Sequence, residues 1–242
     1  LLLLLAGDPA SARARQAAEP VASGRVVEIV DGDTVVLEGG AEVRLVGIQA
    51  PKLPLGRPGF PTWPLAPEAK SAVDRLALGK PVSLGYGGAQ VDRHGRLLAH
   101  LNVDGAWVQG EMLRLGMARV YTFHDNRARA AEMLELEREA RAARRGIWGH
   151  PYYRVLDATE TPKSLDRFID TFQLVEGRVV KAAVVKRRGY LNFGADWKSD
   201  FTVTIPTEHL RAFASAGADI AGYEGKRVRV RGWLKSWNGP LI

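Results

Sequence analysis

The sequence predicts a mainly β chain with helices, an α+β arrangement. A five-stranded barrel with appended helices comes first, and a second small β-rich, barrel-like domain follows. Three observations carry this expectation. Short β-rich runs are punctuated by Gly, Asp and Pro, two helical stretches have clear start and stop signals, and the charge balance changes towards the C-terminal end. At 242 residues the chain is long enough for one large domain or two modest ones.

The elements follow in order. Arg25 to Val30, Thr34 to Leu37 and Val43 to Ile48 read as strands, with Gly32 in the first turn and Gly39-Gly40 in the second. Prolines at 51, 54, 58, 61, 64 and 67 then impose stiff, extended backbone. Pro67-Glu68 opens a helix that stops at Gly79, with Ala69, Ala72, Val73 and Leu76 on one face. Pro81 to Tyr86 and Arg96 to Val103 read as strands, Trp107 to Leu115 as a short helix and Met117 to Tyr121 as a strand. Arg129 to Arg145 is the clearest helix, striped by Met133, Leu136, Ala140 and Ala143, with Glu137 and Arg141 spaced as an i,i+4 pair. Gly146 ends it, and Ile147-Trp148 is expected to fold back on the core.

Residues 151–171, with Pro162 and mixed charges, read as a linker, and 172–242 as the small β-rich domain. Its strands are expected at Leu174 to Val180, Gly189 to Phe193, Phe201 to Ile205 and Val228 to Leu234, with a helix at Glu208 to Ser215. At the front, Leu1 to Leu5 followed by small residues reads as the end of a secretory signal, making 1–23 a signal remnant and leader. On that reading the protein is exported, periplasmic or extracellular; a hydrophobic tail or uncleaved anchor is the alternative. No run is long enough to span a bilayer, so no stable membrane insertion is expected after signal removal. With no cysteine there are no disulfides.

The formal charge of +7 is uneven: residues 24–150 carry 17 basic and 15 acidic groups, 172–242 carry 12 and 6. That excess suits a polyanion such as nucleic acid, or equally a solubility charge or attraction to an acidic membrane.

Three blocks carry the chemistry: Asp31-Gly32-Asp33-Thr34, then Arg44-Leu45-Val46-Gly47-Ile48-Gln49-Ala50-Pro51-Lys52, then Asp92-Arg93-His94-Gly95-Arg96. Taken alone, Asp31-Gly32-Asp33 is an ordinary hairpin turn. Taken in this order, the blocks resemble the thermonuclease family, staphylococcal-nuclease-like hydrolases that cut DNA and RNA with calcium. The resemblance covers about residues 24–150 and implies an oligonucleotide-binding-type barrel. It also implies Arg44 and Arg96 as the phosphate-neutralising arginines and Asp33 as a calcium ligand, near Thr34 and the backbone of Ala50. Two positions depart. Gln49 stands where the family has an acidic metal ligand, offering one neutral oxygen, and Lys52 stands at the position of the acidic general base.

Calcium wants six to eight oxygens, several of them carboxylate, and no Asp or Glu occurs between Leu45 and Pro67. The expectation is therefore a protein that binds nucleic acid, with Lys52 as a phosphate contact or as a base of lowered pKa. The alternatives are an active metal-dependent endonuclease or phosphodiesterase, and a cell-envelope interaction module. Further nucleic-acid candidates are Arg57 and Trp63 on the proline-rich loop, beside Phe60; the alternative is a rigid loop whose Phe60 and Trp63 pack back on the barrel. In the last domain they are Arg227, Arg229 and Arg231, which alternation places on one strand face. The same domain sets Lys186, Arg187 and Arg188 before Tyr190 and Phe193, and Trp197, Trp233 and Trp237 close to basic groups.

Overall fold

A computed structural model describes residues 20–242. It divides into two units, one ending at Tyr153 and one running from Arg154 to Ile242. The signal expected at the front lies outside the described residues up to residue 19, and Pro20 already belongs to the first strand.

The first unit contains β1 (Pro20–Asp31), β2 (Thr34–Leu37), β3 (Glu42–Leu45), β4 (Ile48–Gln49), α1 (Ala66–Ala77), β5 (Pro81–Gly85) and β6 (Leu97–Val103). After these come β7 (Ala106–Trp107), α2 (Val108–Arg114), β8 (Arg119–Val120) and α3 (Ala130–Ala142). Strands β3-β2-β1-β5-β6 hydrogen-bond in that order. A parallel β3–β6 ladder, with Arg44 opposite Leu98, closes them into the expected five-stranded barrel. Closure removes the exposed sheet edges that an open sheet would present.

The expected strand Val43 to Ile48 is interrupted. Gly47 sits at φ 85°, a left-handed value that a β-carbon disfavours, and a β-carbon there would also strike the Met133 side chain. The chain therefore turns, and β4 pairs with β8 instead of continuing β3. Leu45, Ile48, Leu84, Leu101, Met112 and Met133 are fully or almost fully buried in one core with the apolar face of α1, each side chain contributing about 1.5–3 kcal/mol on burial. Ile147 folds back as expected, its N–H donating to the Gly116 carbonyl at 2.8 Å.

The second unit holds β9 (Leu156–Asp157), α4 (Pro162–Asp166), β10 (Phe172–Arg178), β11 (Lys181–Val185), β12 (Arg188–Asn192), β13 (Thr202–Ile205) and α5 (Thr207–Ser215). It ends with β14 (Arg227–Trp233), β15 (Lys235–Ser236) and β16 (Pro240–Leu241). Its strands form a three-stranded sheet, β14-β10-β9, and a five-stranded sheet, β11-β12-β13-β16-β15. From Arg154 onward the stretch expected as a linker packs into this unit. Leu156 lies in a strand paired with β10, and Leu156 and Leu165 are buried with Val175, Leu191 and Val203. Burying those two leucines fixes a segment whose surface charges suggested a tether. No helix among the described residues is long and apolar enough to cross a membrane.

Candidate functional site around Asp33

The site begins with a two-residue turn. Asp31 ends β1, Thr34 opens β2, and the two pair across the hairpin. The Asp31 carboxylate accepts the Asp33 N–H at 3.0 Å, the local turn bond that favours Asp here. Gly32 is required by packing: a β-carbon there would approach Ala50 to 2.6 Å and Ala69 to 2.8 Å. The turn is thereby pressed against the start of α1, and the Asp33 side chain is wholly buried.

A buried carboxylate must be compensated, and here four groups share the task. Ala50 N–H donates to Asp33 Oδ2 at 2.8 Å, and Thr34 Oγ1 lies 3.4 Å from Oδ1. Arg44, opposite Thr34 across the β2–β3 ladder, brings Nη2 to 3.3 Å from Oδ2. Lys52 brings Nζ to 2.5 Å from Asp33 Oδ1 and 3.2 Å from Asp31 Oδ2, bridging both carboxylates. Burial alone would push the Asp33 carboxyl up, but Arg44 and Lys52 outweigh it and hold it down to about 2. Asp31 moves the other way. Burial, with the neighbouring Asp33 charge, raises its carboxyl above the usual range despite Lys52.

The remaining expected residues are distributed differently. Arg44 Nη1 donates to the carbonyls of Asp33 and Leu45 at 3.1 and 2.7 Å, and Nη2 to that of Ile48 at 2.7 Å. Arg44 thus ties the barrel wall together, and both terminal nitrogens are committed. Arg96 immediately precedes β6, two residues before the Leu98 that lies opposite Arg44, and its guanidinium pairs with Asp92 at 2.7 Å in a part-exposed turn. Gln49 is turned to a different partner: its Oε1 accepts from Arg119 Nε at 2.9 Å and Nη2 at 2.6 Å.

The comparisons bear on the barrel that carries this site. A family model described as "Staphylococcal nuclease homologue" matches residues 42–150. "Protein ParB" of Escherichia coli is 34% identical over 164 residues, which cover 63% of this chain and 82% of that protein. The chain belongs to the staphylococcal nuclease family. An "Uncharacterized endonuclease" of Escherichia coli is 33% identical over 129 residues, covering 52% of this chain and 76% of that protein. "Thermonuclease" of Staphylococcus hyicus is 23% identical over 129 residues, 52% of this chain and 75% of that one.

The calcium ion that the family implies does not fit the residues present. A hard dication needs several oxygens whose lone pairs are available. Here Asp33 Oδ2 serves Ala50 and Arg44, Asp33 Oδ1 and Asp31 Oδ2 face the Lys52 ammonium, and Gln49 Oε1 serves Arg119. Gln49, a metal candidate from sequence, therefore faces Arg119 and leaves the Asp33 carboxylate to cationic partners. Among the described residues no group of three or more His, Asp or Glu side chains is arranged to hold a metal.

The other candidates are also spoken for. Arg57 donates to the carbonyls of Pro54 and Leu53 and lies 3.7 Å over the Phe60 ring. Phe60 stacks on Trp63, which meets Tyr152, so the proline-rich loop packs against its own unit. Arg227 and Arg229 both pair with Glu176 on β10, and Arg231 is buried. The strand face they share is therefore an ion-paired surface rather than a bare row of cations. Phe193 lies in the core against Phe201. Two residues that sequence reasoning passed over complete the site. Asp31, read only as a turn former, is a second anchor for Lys52, and Arg119 holds Gln49.

Proposed function

We propose that this protein binds nucleic acid through the first unit without hydrolysing it. The observation that supports this reading is the Lys52 ammonium bridging Asp31 and Asp33. A general base works best with a pKa near the working pH, whereas Asp33 is held down to about 2 and is enclosed by donors. Asp31, Asp33, Arg44 and Lys52 together form a nearly neutral quartet, so phosphate attraction falls to Arg96. Its bond to Asp92 is part-exposed, the kind of pair that is weak and readily exchanged for a phosphate.

Arg96→Ala is expected to weaken binding of a labelled oligonucleotide and to lower the salt dependence by about one phosphate contact. Strand cleavage with millimolar calcium is expected to be undetectable. Robust calcium-dependent products that disappear in Asp31→Asn would overturn the reading and mark Asp31 as a relocated base in an active nuclease. Little affinity for oligonucleotides, with no salt-dependent binding, would favour the envelope module instead.

The same reading includes export, supported by the apolar run Leu1 to Leu5 and the small residues after it. N-terminal sequencing of protein from fractionated cells checks this. A mature chain recovered from the cytoplasm with residues 1–23 intact would refute it.

A further inference from the structure

The second unit carries a surface that the Asp33 site does not use. Strand alternation sends Ala182, Leu191, Val203 and Ile205 into the core and turns the intervening residues of β11, β12 and β13 outward. Register places Ala183, Tyr190 and Thr204 in one cross-strand row, and Lys181, Asn192 and Thr202 in the next. A groove of about 760 Å³ runs over these rows, lined also by Trp197 and Trp237. Those tryptophans are 56% and 77% exposed, an unusual cost in exposed aromatic surface that points to a binding role. Ala183 and Thr204, the row neighbours of Tyr190, are small, so nothing bulky in the row covers its ring.

The charges lining this groove have one sign. The charged residues lining the groove are Lys181 and Arg188. At the end of the groove the β11–β12 hairpin turns through Lys186 and Arg187, with φ of 48° and 63°. Such turns normally take Asn-Gly, because side chains with a β-carbon are strained there. Thr207 Oγ1 donates to the Arg187 carbonyl at 2.6 Å and helps hold the turn. Two cations are thus kept at the mouth of an aromatic groove in backbone conformations that glycine would adopt more easily.

We propose that this face is a second, separate site for single-stranded nucleic acid. Bases stack on Tyr190, Trp197 and Trp237, and the backbone follows Arg188 and Lys181. Aromatic platforms require unpaired bases, and cations without carboxylates favour a polyanion over a neutral glycan or peptide. The outward face of β11 spans roughly 13 Å, which suits a short site of about four nucleotides. The inference goes beyond the reading of the first unit and stands without it.

The test is fluorescence anisotropy of a labelled oligothymidylate of about twelve nucleotides with the full chain across a salt series. Trp237 is exposed enough to remove without touching the core. Trp237→Ala and Tyr190→Ala are each expected to weaken binding roughly tenfold, while Tyr190→Phe retains it and Lys181→Ala flattens the salt dependence. This pattern should persist in an Arg96→Ala background. Unchanged affinity in both aromatic variants overturns the proposal, as does preference for duplex or equal, salt-independent binding of a neutral oligosaccharide. If Arg96→Ala alone abolishes binding and Trp237→Ala changes nothing, the first-unit reading stands and this one falls. The reverse pattern removes that reading and leaves this one.

Discussion

Lys52→Glu is expected to turn the Asp33 pocket into one that needs a cation to fold fully. The ammonium that bridges Asp31 and Asp33 would be replaced by a third carboxylate beside two buried ones. Removing one partner from a buried ion pair costs about 3–5 kcal/mol, and like-charge repulsion adds to this. Calcium should then recover much of the loss, about 2.7 kcal/mol at a hundredfold excess over its dissociation constant. The check is the urea midpoint with chelator and with calcium, for the variant and the wild type. A calcium shift in the variant alone supports the account; a comparable shift in the wild type shows that the native pocket already takes the ion. Calcium-dependent cleavage should appear only in the variant, since a general base is worth ~10²–10⁴-fold. Adding Gln49→Asp is expected to contribute little, because Arg119 at 2.6–2.9 Å would keep the new carboxylate for itself.

The parts legible in the sequence are those with local signals. Gly32 and Gly39-Gly40 mark the hairpins, Pro67-Glu68 opens α1 one residue after its observed start, and of the expected α3 stripe Met133, Leu136 and Ala140 are buried while Ala143 is exposed at the residue after the helix. The Glu137–Arg141 pair forms at 2.9 Å, as an i,i+4 spacing allows. The parts that stayed hidden depend on chain segments far apart. Gln49 and Arg119 are 70 residues apart and meet only because Gly47 breaks β3 and sends β4 to β8. Alternation correctly groups Arg227, Arg229 and Arg231, but the β10–β14 register that brings Glu176 opposite Arg229 has no sequence signature. Strand β11 is hidden for a related reason: Lys181 to Val185 is short and without polar alternation, and its neighbour in β12 defines it as a strand. Lys52 was legible as a cation in an acid's place. That it reaches two carboxylates at once follows from the tightness of the Asp31–Thr34 turn, which three-dimensional packing around Gly32 enforces.

A second large structural effect is expected at Asp33 itself. Asp33→Ala removes the shared partner of Arg44, Lys52 and the Ala50 N–H, leaving a buried donor unpaired, Lys52 with Asp31 alone and Arg44 with backbone carbonyls alone. The expected loss is about 3–5 kcal/mol, a fall in Tm of roughly 10 °C for a chain of this size. Asp31→Ala should cost less. It gives up one contact to Lys52 and the turn bond to Asp33, but it also relieves the repulsion that, with burial, raises the Asp31 carboxyl. Acid titration separates the two. The Asp33 carboxyl lies at about 2 in the folded chain, against 3.8 for an unperturbed one. Its stabilisation is therefore fully present above 3.8 and drains away as the pH falls towards about 2. Asp31, raised on folding, acts in the opposite sense, so the wild-type curve alone underestimates the Asp33 component. The difference between wild-type and Asp33→Ala urea midpoints is dominated by it and should shrink steadily across that window. A difference that stays constant down to the lowest pH would mean that the carboxylate is not held by Arg44 and Lys52, and the bridged pocket would have to be abandoned.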